Sequence, residues 1–360
     1  MSGLAKSYSH RKYVLNIVEM IYTIALLLIF LGSGLSLFLE SWFKSFGLVG
    51  YLLIAAYLFA ISFFYYLLNL PLNFYASFIL EHKFGLSKQR PLAWMAEQLK
   101  SGVLAYLLSL ILVLSFYGIL GKFNQWWIVI SIFWIGFSVI LTKLAPVLII
   151  PLFFKYQKLS DEVLRRRVFD LAAKMKIKLM EVLEIDLSKK TLKANAAFVG
   201  LGKTRRVLLA DTLKDKYTYS EVEVILAHEF AHYQLKHLLK LMAVNALITL
   251  GLFYLIFKTS VYALGVFKLD SLLALSSLPL VFLYFVLFGI IAQPLQAYIS
   301  RRFEKDADRL ALKVTGDRES FISLMEKLAE QNLADRNPHP LIKFFFFDHP
   351  PIDERIKIAK

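Results

Sequence analysis

Six long runs of apolar residues dominate the pattern of this chain. They cover residues 20–39, 45–80, 101–121, 123–142, 241–257 and 271–300. A helix needs about 20 apolar residues to cross a hydrocarbon core that is roughly 30 Å thick. Five runs reach that length, and the run 241–257 continues a helix that starts before it. Soluble core helices rarely supply so many long runs together, so the pattern predicts an integral membrane protein with six spans.

The six runs divide the chain into four regions. Residues 1–154 hold four spans, residues 155–240 form a polar segment, residues 241–300 hold two further spans, and residues 301–360 form a polar tail. The sequence thus predicts a mainly α fold, a polytopic membrane helix bundle of six spans with a small cytosolic α+β domain. We expect the polar segment to carry the chemistry and the tail to complete its site.

Shorter patterns predict the elements of the polar segment. Residues 161–175 have a helical pattern, whereas residues 182–187 alternate between apolar and polar as a short strand does. Residues 195–200 and 205–210 flank a four-residue turn that contains glycine, which favours a hairpin. A small layer of helices and strands is therefore expected beside the membrane bundle.

The net charge of +15 follows the predicted topology. Basic side chains are dense before the first run, in the 81–100 loop, in the 155–240 segment and in the tail, and they are sparse in the other loops. This alternation is typical of the positive-inside rule, so both termini and the polar domain are predicted to be cytosolic. The membrane would be a bacterial inner membrane or the endoplasmic reticulum, depending on the source. The basic residues favour contact with anionic lipids, and no nucleic-acid partner is expected.

The helix predicted to follow a capping box at Ser220 and Glu223 carries the strongest chemical signal, and it is expected to continue into the fifth span. His228, Glu229 and His232 form the pattern HExxH. Residues four apart lie on one face of a helix, so both imidazoles can bind one metal ion. Glu229 would then lie beside the ion and take a proton from the attacking water.

A catalytic zinc ion usually has three protein ligands and a water. The chain has no cysteine, so the third ligand should be His, Glu or Asp. Glu304 follows the last span on the same side of the membrane as the motif, and Asp308 lies on the same helix face. We expect Glu304 to bind the single zinc ion and Asp308 to orient a histidine or an arginine of the site. Without the HExxH motif, Glu304 and Asp308 could equally be the solvent-exposed acidic end of a helix beside Arg301 and Arg302.

Two further histidines lie near these motifs. His237 follows His232 by five residues, which is roughly 140° round a continuous helix, so we expect its side chain to point away from the metal. His349 precedes two prolines and a final helical segment, where its side chain could serve as a polar cap.

An ordered set of motifs resembles the type-I CAAX prenyl endopeptidases, zinc-dependent membrane proteases that trim prenylated proteins. The resemblance runs from about residue 45 to the end of the chain. Its carriers are Glu81-His82-Lys83-Phe84-Gly85-Leu86-Ser87-Lys88-Gln89, Leu144-Ala145-Pro146, Asn195-Ala196-Ala197-Phe198-Val199-Gly200, the HExxH helix, Ser300-Arg301-Arg302-Phe303-Glu304 with Ala307-Asp308, and His349-Pro350-Pro351 with Glu354-Arg355. Together these motifs are far more specific than HExxH alone.

The resemblance implies roles for several residues. The two motif histidines and Glu304 would bind zinc, and Asn195 and Ala196 would hold the substrate backbone by strand addition. His349 and Arg355 would stabilise the transition state. The resemblance also implies a water-filled chamber within the bundle and seven spans, the first of which has no counterpart in this chain.

The sequence thus predicts an integral-membrane zinc metalloendopeptidase. Its substrates would be peptides or proteins, prenylated or not, and its role could include quality control of membrane proteins. A zinc-dependent membrane chaperone or scaffold would instead bind clients without cutting them, but such a protein would not need Glu229. A site-2 type intramembrane protease would need a later aspartate ligand, for which the sequence offers Asp270 beside a span.

Overall fold

The structure is a computed structural model that describes residues 2–200 and 205–360. Within these residues, six helices are long and apolar enough to cross a membrane, which confirms the predicted number. They are Gly3–Gly32, Gly50–Lys83, Pro91–Leu120, Trp126–Phe153, His237–Val266 and Leu275–Thr315. In each of these helices, at most 44% of an 18-residue apolar stretch is buried inside the protein. Apolar helices with so much outward surface need lipid around them, so the chain is a multi-pass membrane protein.

The N-terminal membrane region consists of seven helices and two π-helical turns. The helices are α1 (Ser2–Gly32), α2 (Leu35–Ser45), α3 (Gly50–Phe74), α4 (Leu80–Lys83), α5 (Pro91–Leu120), α6 (Trp126–Leu144) and α7 (Ile150–Phe153). The π-helical turns Tyr75–Ile79 and Ala145–Ile149 join α3 to α4 and α6 to α7. Each of these joined helices is therefore one long span rather than two separate elements.

The first span does not match its predicted position at residues 20–39. α1 begins near the N-terminus, well before residue 20, and its first turns include basic residues. A membrane helix can contain them there because long cationic side chains at a helix end reach out of the hydrocarbon. α2 occupies the place where a loop was expected. Its buried Glu40 carboxylate accepts a hydrogen bond of 2.7 Å from the backbone N–H of Ser276. This contact ties α2 to the beginning of the last span.

The polar domain contains a four-stranded sheet in the order β1-β2-β4-β3. The strands are β1 (Tyr156–Lys158), β2 (Glu181–Ile185), β3 (Ala196–Val199) and β4 (Arg206–Ala210). β2 and β4 are parallel, whereas β1 pairs with β2 and β3 pairs with β4 in antiparallel fashion. The strand predicted at 182–187 exists but runs from Glu181 to Ile185, and the predicted pairing of β3 with β4 is confirmed. The predicted four-residue turn falls on residues 201–204, which lie outside the described residues.

Two helices of the polar domain lie where the sequence predicts them. α8 (Glu162–Lys174) begins after Asp161, whose side chain accepts a hydrogen bond from the Leu164 N–H. α9 (Tyr219–Gln234) carries HExxH, but the predicted capping box at Ser220 and Glu223 is wrong. Thr218 and Glu221 form the box instead, and each accepts a hydrogen bond from the other's backbone N–H.

The helix with HExxH does not continue into the fifth span, so that prediction is also wrong. α9 ends at Gln234, and α10 (His237–Val266) begins after a break. Lys236 in this break has a left-handed backbone with φ of 58°. A left-handed residue cannot continue a right-handed helix, so α10 leaves in a new direction.

The last span has 38 residues, or about 57 Å, which exceeds the roughly 30 Å of a hydrocarbon core, and it packs on the motif helix. It is α11 (Leu278–Thr315), which ends at Gly316, where φ is +70° as is common for a glycine that closes a helix. The remaining helices are α12 (Arg318–Gln331), α13 (Pro340–Phe346) and α14 (Ile352–Ala359). The core between α9 and α11 includes the buried alanines Ala227, Ala231, Ala307 and Ala311. Small side chains allow two helices to approach closely, which brings polar groups on α9 and α11 together.

Candidate metal centre

α9 places the imidazoles of His228 and His232 side by side. Their ring centroids are 4.7 Å apart, and their Nε2 atoms are 3.0 Å apart. This closeness follows from the helical repeat, since residues four apart lie one above the other on one face. The two Nε2 lone pairs can therefore face one ion.

Glu304 on α11 faces the same two imidazoles. Its Oε2 lies 3.2 Å from His228 Nε2, and its Oε1 lies 3.2 Å from His232 Nε2. One ligand atom from each of the three residues lies within 4.8 Å of the others. Ligand atoms that are about 2.1 Å from a tetrahedral ion are about 3.4 Å from one another, close to these spacings. The three side chains thus fit a divalent cation.

A buried ion pair supports His228 from behind. The Asp308 carboxylate, which is 0% exposed, has its Oδ1 at 2.8 Å from His228 Nδ1. Arg355 on α14 donates to the same carboxylate from Nε at 2.8 Å and from Nη2 at 2.6 Å. Burial lowers the pKa of His228, but hydrogen bonds to Asp308 and Glu304 outweigh it and raise this pKa to about 9. The carboxylate behind the ring thus determines that Nε2, rather than Nδ1, of His228 would face a metal ion.

Glu229 follows His228 on α9 and lines the cleft in front of the metal-binding groups. Burial raises the pKa of Glu229, and this effect outweighs the opposing influence of the neighbouring His228 and His232. A carboxylate with a raised pKa is a stronger base than an ordinary glutamate. The position and the basicity of Glu229 both suit proton transfer.

His349 approaches the centre from the segment between α13 and α14. Its Nδ1 is 2.8 Å from Glu304 Oε2, and 57% of its side chain is exposed. A hydrogen bond to the Glu304 carboxylate raises the pKa of His349. Arg301 holds this segment, because its Nη1 donates to the backbone oxygens of Lys343, at 2.9 Å, and of Phe347. Sequence reasoning named Arg301 only as part of a motif and assigned it no role.

A cleft of about 540 Å³ is lined by two of the candidate metal ligands, His228 and Glu304. Asn195 and Ala196 line it where β3 lies at the edge of the sheet. Tyr8, Ser9 and Tyr13 of α1 also line it. Sequence reasoning missed these three residues, since tertiary packing alone brings the first helix to the site and no motif marks it.

Asp270, the alternative ligand of a site-2 type protease, lies far from the motif. It follows α10, whereas HExxH precedes that helix. α10 has 30 residues, which corresponds to about 45 Å at 1.5 Å per residue. An aspartate at that distance cannot bind an ion held by His228 and His232, so this alternative has no ligand.

His237 does not point away from the centre, and that prediction is wrong. The figure of 140° assumed a continuous helix, whereas the chain breaks at Lys236. Because of this break, the His237 ring points towards His232, and the Nδ1 atoms of the two histidines are 3.0 Å apart. His237 is buried, and its ring stacks on Phe303.

Two family models match consecutive parts of the chain. The model described as "CAAX prenyl protease N-terminal, five membrane helices" matches residues 4–155. The model described as "Peptidase family M48" matches residues 158–360, which include HExxH and Glu304. The match thus begins near residue 4, earlier than the start at about residue 45 that the motifs indicated.

Individual proteins show similarity over most of their length. The uncharacterized metalloprotease YhfN of Bacillus subtilis (strain 168) is 29% identical over 363 residues, which cover 99% of this chain and 85% of that protein. CAAX prenyl protease 1 of Saccharomyces cerevisiae is 30% identical over 314 residues, covering 81% of this chain and 68% of that protein. The crystal structure of S. mikatae Ste24p superposes with a TM-score of 0.88 at 26% identity, covering 99% of this chain and 88% of that one.

Proposed function

Since the chain belongs to peptidase family M48, a family of metallopeptidases, we propose that it is a zinc metalloendopeptidase that cuts peptide bonds beside the membrane. It is an integral membrane hydrolase with a peptide or protein substrate. One observation carries the proposal. The ligand atoms of His228, His232 and Glu304 converge, and His228 and Glu304 line a cleft together with Glu229.

His228, His232 and Glu304 are proposed to hold one zinc ion. Two imidazoles and one carboxylate are a common ligand set for catalytic zinc, whereas calcium and magnesium prefer oxygen ligands alone. Three protein ligands leave a fourth position for water, as a catalytic site requires. When bound, zinc lowers the pKa of water to about 7 and polarises the scissile carbonyl.

Glu229 is proposed to act as the general base and then as the general acid. Its carboxylate removes a proton from the attacking water as the oxygen adds to the carbonyl carbon. It then delivers that proton to the amine nitrogen as the carbon–nitrogen bond breaks. The raised pKa of Glu229 supports both steps, because it makes the carboxylate a stronger base for removing the proton of the water and so favours the first transfer, while the protonated carboxyl group can still return that proton to the amine.

Asn195 and Ala196 are proposed to hold the substrate backbone. β3 lies at one edge of the sheet and is paired only with β4 among the described strands. An extended peptide can add to such an edge by backbone hydrogen bonds. Ala196 lines the cleft beside the metal ligands, so a peptide paired there would place its scissile bond near Glu229.

His349 suits the role of oxyanion donor better than Arg355 does. More than half of the His349 side chain is exposed, and it lies beside Glu304. Arg355 instead uses Nε and Nη2 to bind Asp308, so we propose that this pair holds His228 in place. One oxyanion donor typically contributes about 3 kcal/mol to stabilisation of the transition state.

The substrate is proposed to be a membrane-associated peptide or protein. The name CAAX prenyl protease 1 of the S. cerevisiae relative supports a prenylated C-terminus, whereas turnover of membrane proteins needs no such group. Two reporter peptides that differ only in a farnesyl group separate these roles. Faster cleavage of the farnesylated peptide supports processing of prenylated proteins, and equal rates support general turnover.

The distribution of basic residues supports a cytosolic catalytic domain with both termini on that side. Two reporter enzymes test this orientation, one that is active only in the cytosol and one that is active only outside it. Each is fused to the C-terminus in a separate experiment. Activity of a reporter that works only outside the cytosol would overturn the proposed topology. The same fusion leaves the proposed chemistry untouched, so the two proposals are tested separately.

Cleavage of a fluorogenic peptide by the purified chain in detergent tests the proposed chemistry. A zinc chelator should stop cleavage, and added zinc should restore it. Glu229→Gln should still bind zinc and peptide while its rate falls about 10²–10⁴-fold. Glu223→Gln on the same helix is the matched control, since Glu223 pairs with Arg167 at the surface. Normal cleavage by Glu229→Gln would refute the role of the base, and peptide binding without cleavage by the unaltered protein would favour a scaffold.

A further inference from the structure

The break between α9 and α10 brings an additional histidine to the metal centre. In a continuous helix, the side chain five residues after His232 would lie roughly 140° away from it. Lys236 has φ of 58° and interrupts the helix, so α10 begins at His237 with a different orientation. The Nδ1 atoms of His232 and His237 are 3.0 Å apart as a result.

The two candidate ligands on α9 both need a partner for their second ring nitrogen. His228 and His232 turn Nε2 towards Glu304, so Nδ1 of each ring faces away from the ligand cluster. A metal-binding histidine almost always donates this second N–H to an acceptor, which orients the ring. His228 has the Asp308 carboxylate for this purpose at 2.8 Å. For His232, the corresponding contact among the described residues is Nδ1 of His237.

Packing holds the ring of His237 firmly. The residue is 1% exposed, and its ring is nearly parallel to that of Phe303, with 6° between the planes and 4.3 Å between the centroids. Phe303 directly precedes Glu304 on α11. One imidazole therefore contacts both helices that carry candidate ligands. A phenylalanine could stack in the same way, but only a side chain with an acceptor could receive the His232 N–H.

We propose that His237 is a positioning residue of the metal centre. The lone pair of its Nδ1 accepts the hydrogen of His232 Nδ1, and this bond holds His232 Nε2 towards the metal. The inference rests on the proposed function, since it requires a metal at His228, His232 and Glu304. Loss of such an outer hydrogen bond typically weakens metal binding about 10–100-fold.

Zinc affinity of three variants of the full chain in detergent tests this role. His237→Phe keeps a ring for stacking but removes the acceptor, whereas His237→Asn keeps an acceptor near the position of Nδ1. Leu238→Ala is the matched control, because this neighbouring side chain is 46% exposed. Competition with a chromophoric chelator at one fixed pH measures the affinity. We expect about 10–100-fold weaker binding for His237→Phe, and affinities close to that of the unaltered protein for His237→Asn and Leu238→Ala.

Two results would overturn the role of His237. One is a His237→Phe variant that binds zinc as tightly as the unaltered protein. The other is an equal loss in His237→Phe and His237→Asn, which would indicate packing alone. His228→Ala separates this inference from the proposed function: unchanged zinc affinity there would refute the metal site itself. Zinc lost in His228→Ala but retained in His237→Phe would refute only the role of His237.

Discussion

The candidate metal centre consists of two regions that are held in different ways. The ligand layer, formed by His228, His232 and Glu304, lies on two long helices that pack through buried alanines. The His349 segment, residues 347–351, lies between two short helices, and its histidine side chain is 57% exposed. Packing along whole helices holds the ligand layer, whereas hydrogen bonds from Arg301 hold the end of the segment. The difference teaches that the proposed metal ligands belong to the core, while the proposed oxyanion donor lies where a substrate can reach it.

The largest expected effect is on the support of the ligand layer. Asp308→Ala removes the partner of Arg355 and leaves a buried charge unpaired. Breaking a buried pair in this way costs about 3–5 kcal/mol of the free energy of unfolding. Thermal unfolding in detergent measures the loss, and Asp306→Ala is the control because Asp306 is half-exposed on the same helix. Equal shifts in the two melting temperatures would show that the buried pair does not support the layer.

Removing the reaction-facing group should spare the ligand layer. His349→Ala is expected to lower kcat about 10²–10³-fold by loss of one oxyanion donor, with zinc content unchanged. Peptide cleavage and metal analysis on the same sample measure both quantities. Asp353→Ala is the matched control, since that nearby side chain is 49% exposed and pairs with Arg336. Loss of zinc in His349→Ala would contradict the division into two regions.

A smaller effect is expected when the segment is loosened but His349 is kept. Arg301→Ala removes the hydrogen bonds to the backbone oxygens of Lys343 and Phe347. A small misplacement of a catalytic group can lower kcat by about 10–100-fold. Arg301→Lys should recover part of this loss, and Arg302→Ala is the control on the same helix. An unchanged kcat for Arg301→Ala would show that other contacts hold the segment.

The smallest expected effect is the pH dependence of metal binding by the ligand layer. Burial lowers the pKa of His228, but Asp308 and Glu304 raise it to about 9. A metal ion binds only the neutral imidazole of His228. Below pH 9 a proton therefore competes with zinc for this ring, whereas above pH 9 the ring is already neutral. Zinc affinity should therefore fall by up to about tenfold for each unit of pH decrease below 9. Chelator competition measures this slope, and an affinity independent of pH over that range would contradict it.

Local patterns predicted much of the fold and of the ligand layer. Six apolar runs indicated six spans because the thickness of a membrane sets the length of a helix. HExxH indicated adjacent imidazoles because the helical repeat alone determines their spacing. The prediction that Glu304 is the third ligand followed from the number of ligands that zinc requires and from the absence of cysteine. The structure brings all three side chains together.

Features that depend on tertiary structure could not be predicted. His237 seemed remote because nothing local marks Lys236 as a left-handed break. The three residues of α1 that line the cleft lie more than two hundred positions before HExxH, and only packing brings them there. The helix boundaries at Thr218 and at the first span were wrong, since neighbouring polar residues offer several possible caps and helix ends. The domain boundaries stay predictions.

The metal content of the purified protein tests the account most directly. Mass spectrometry of the unaltered chain and of His228→Ala, Glu304→Ala and Glu229→Gln after dialysis measures it. The account predicts about one zinc ion per chain in the unaltered protein and in Glu229→Gln, and none in the other two variants. An unaltered protein without bound metal, or a Glu304→Ala variant that keeps its full zinc content, would contradict it.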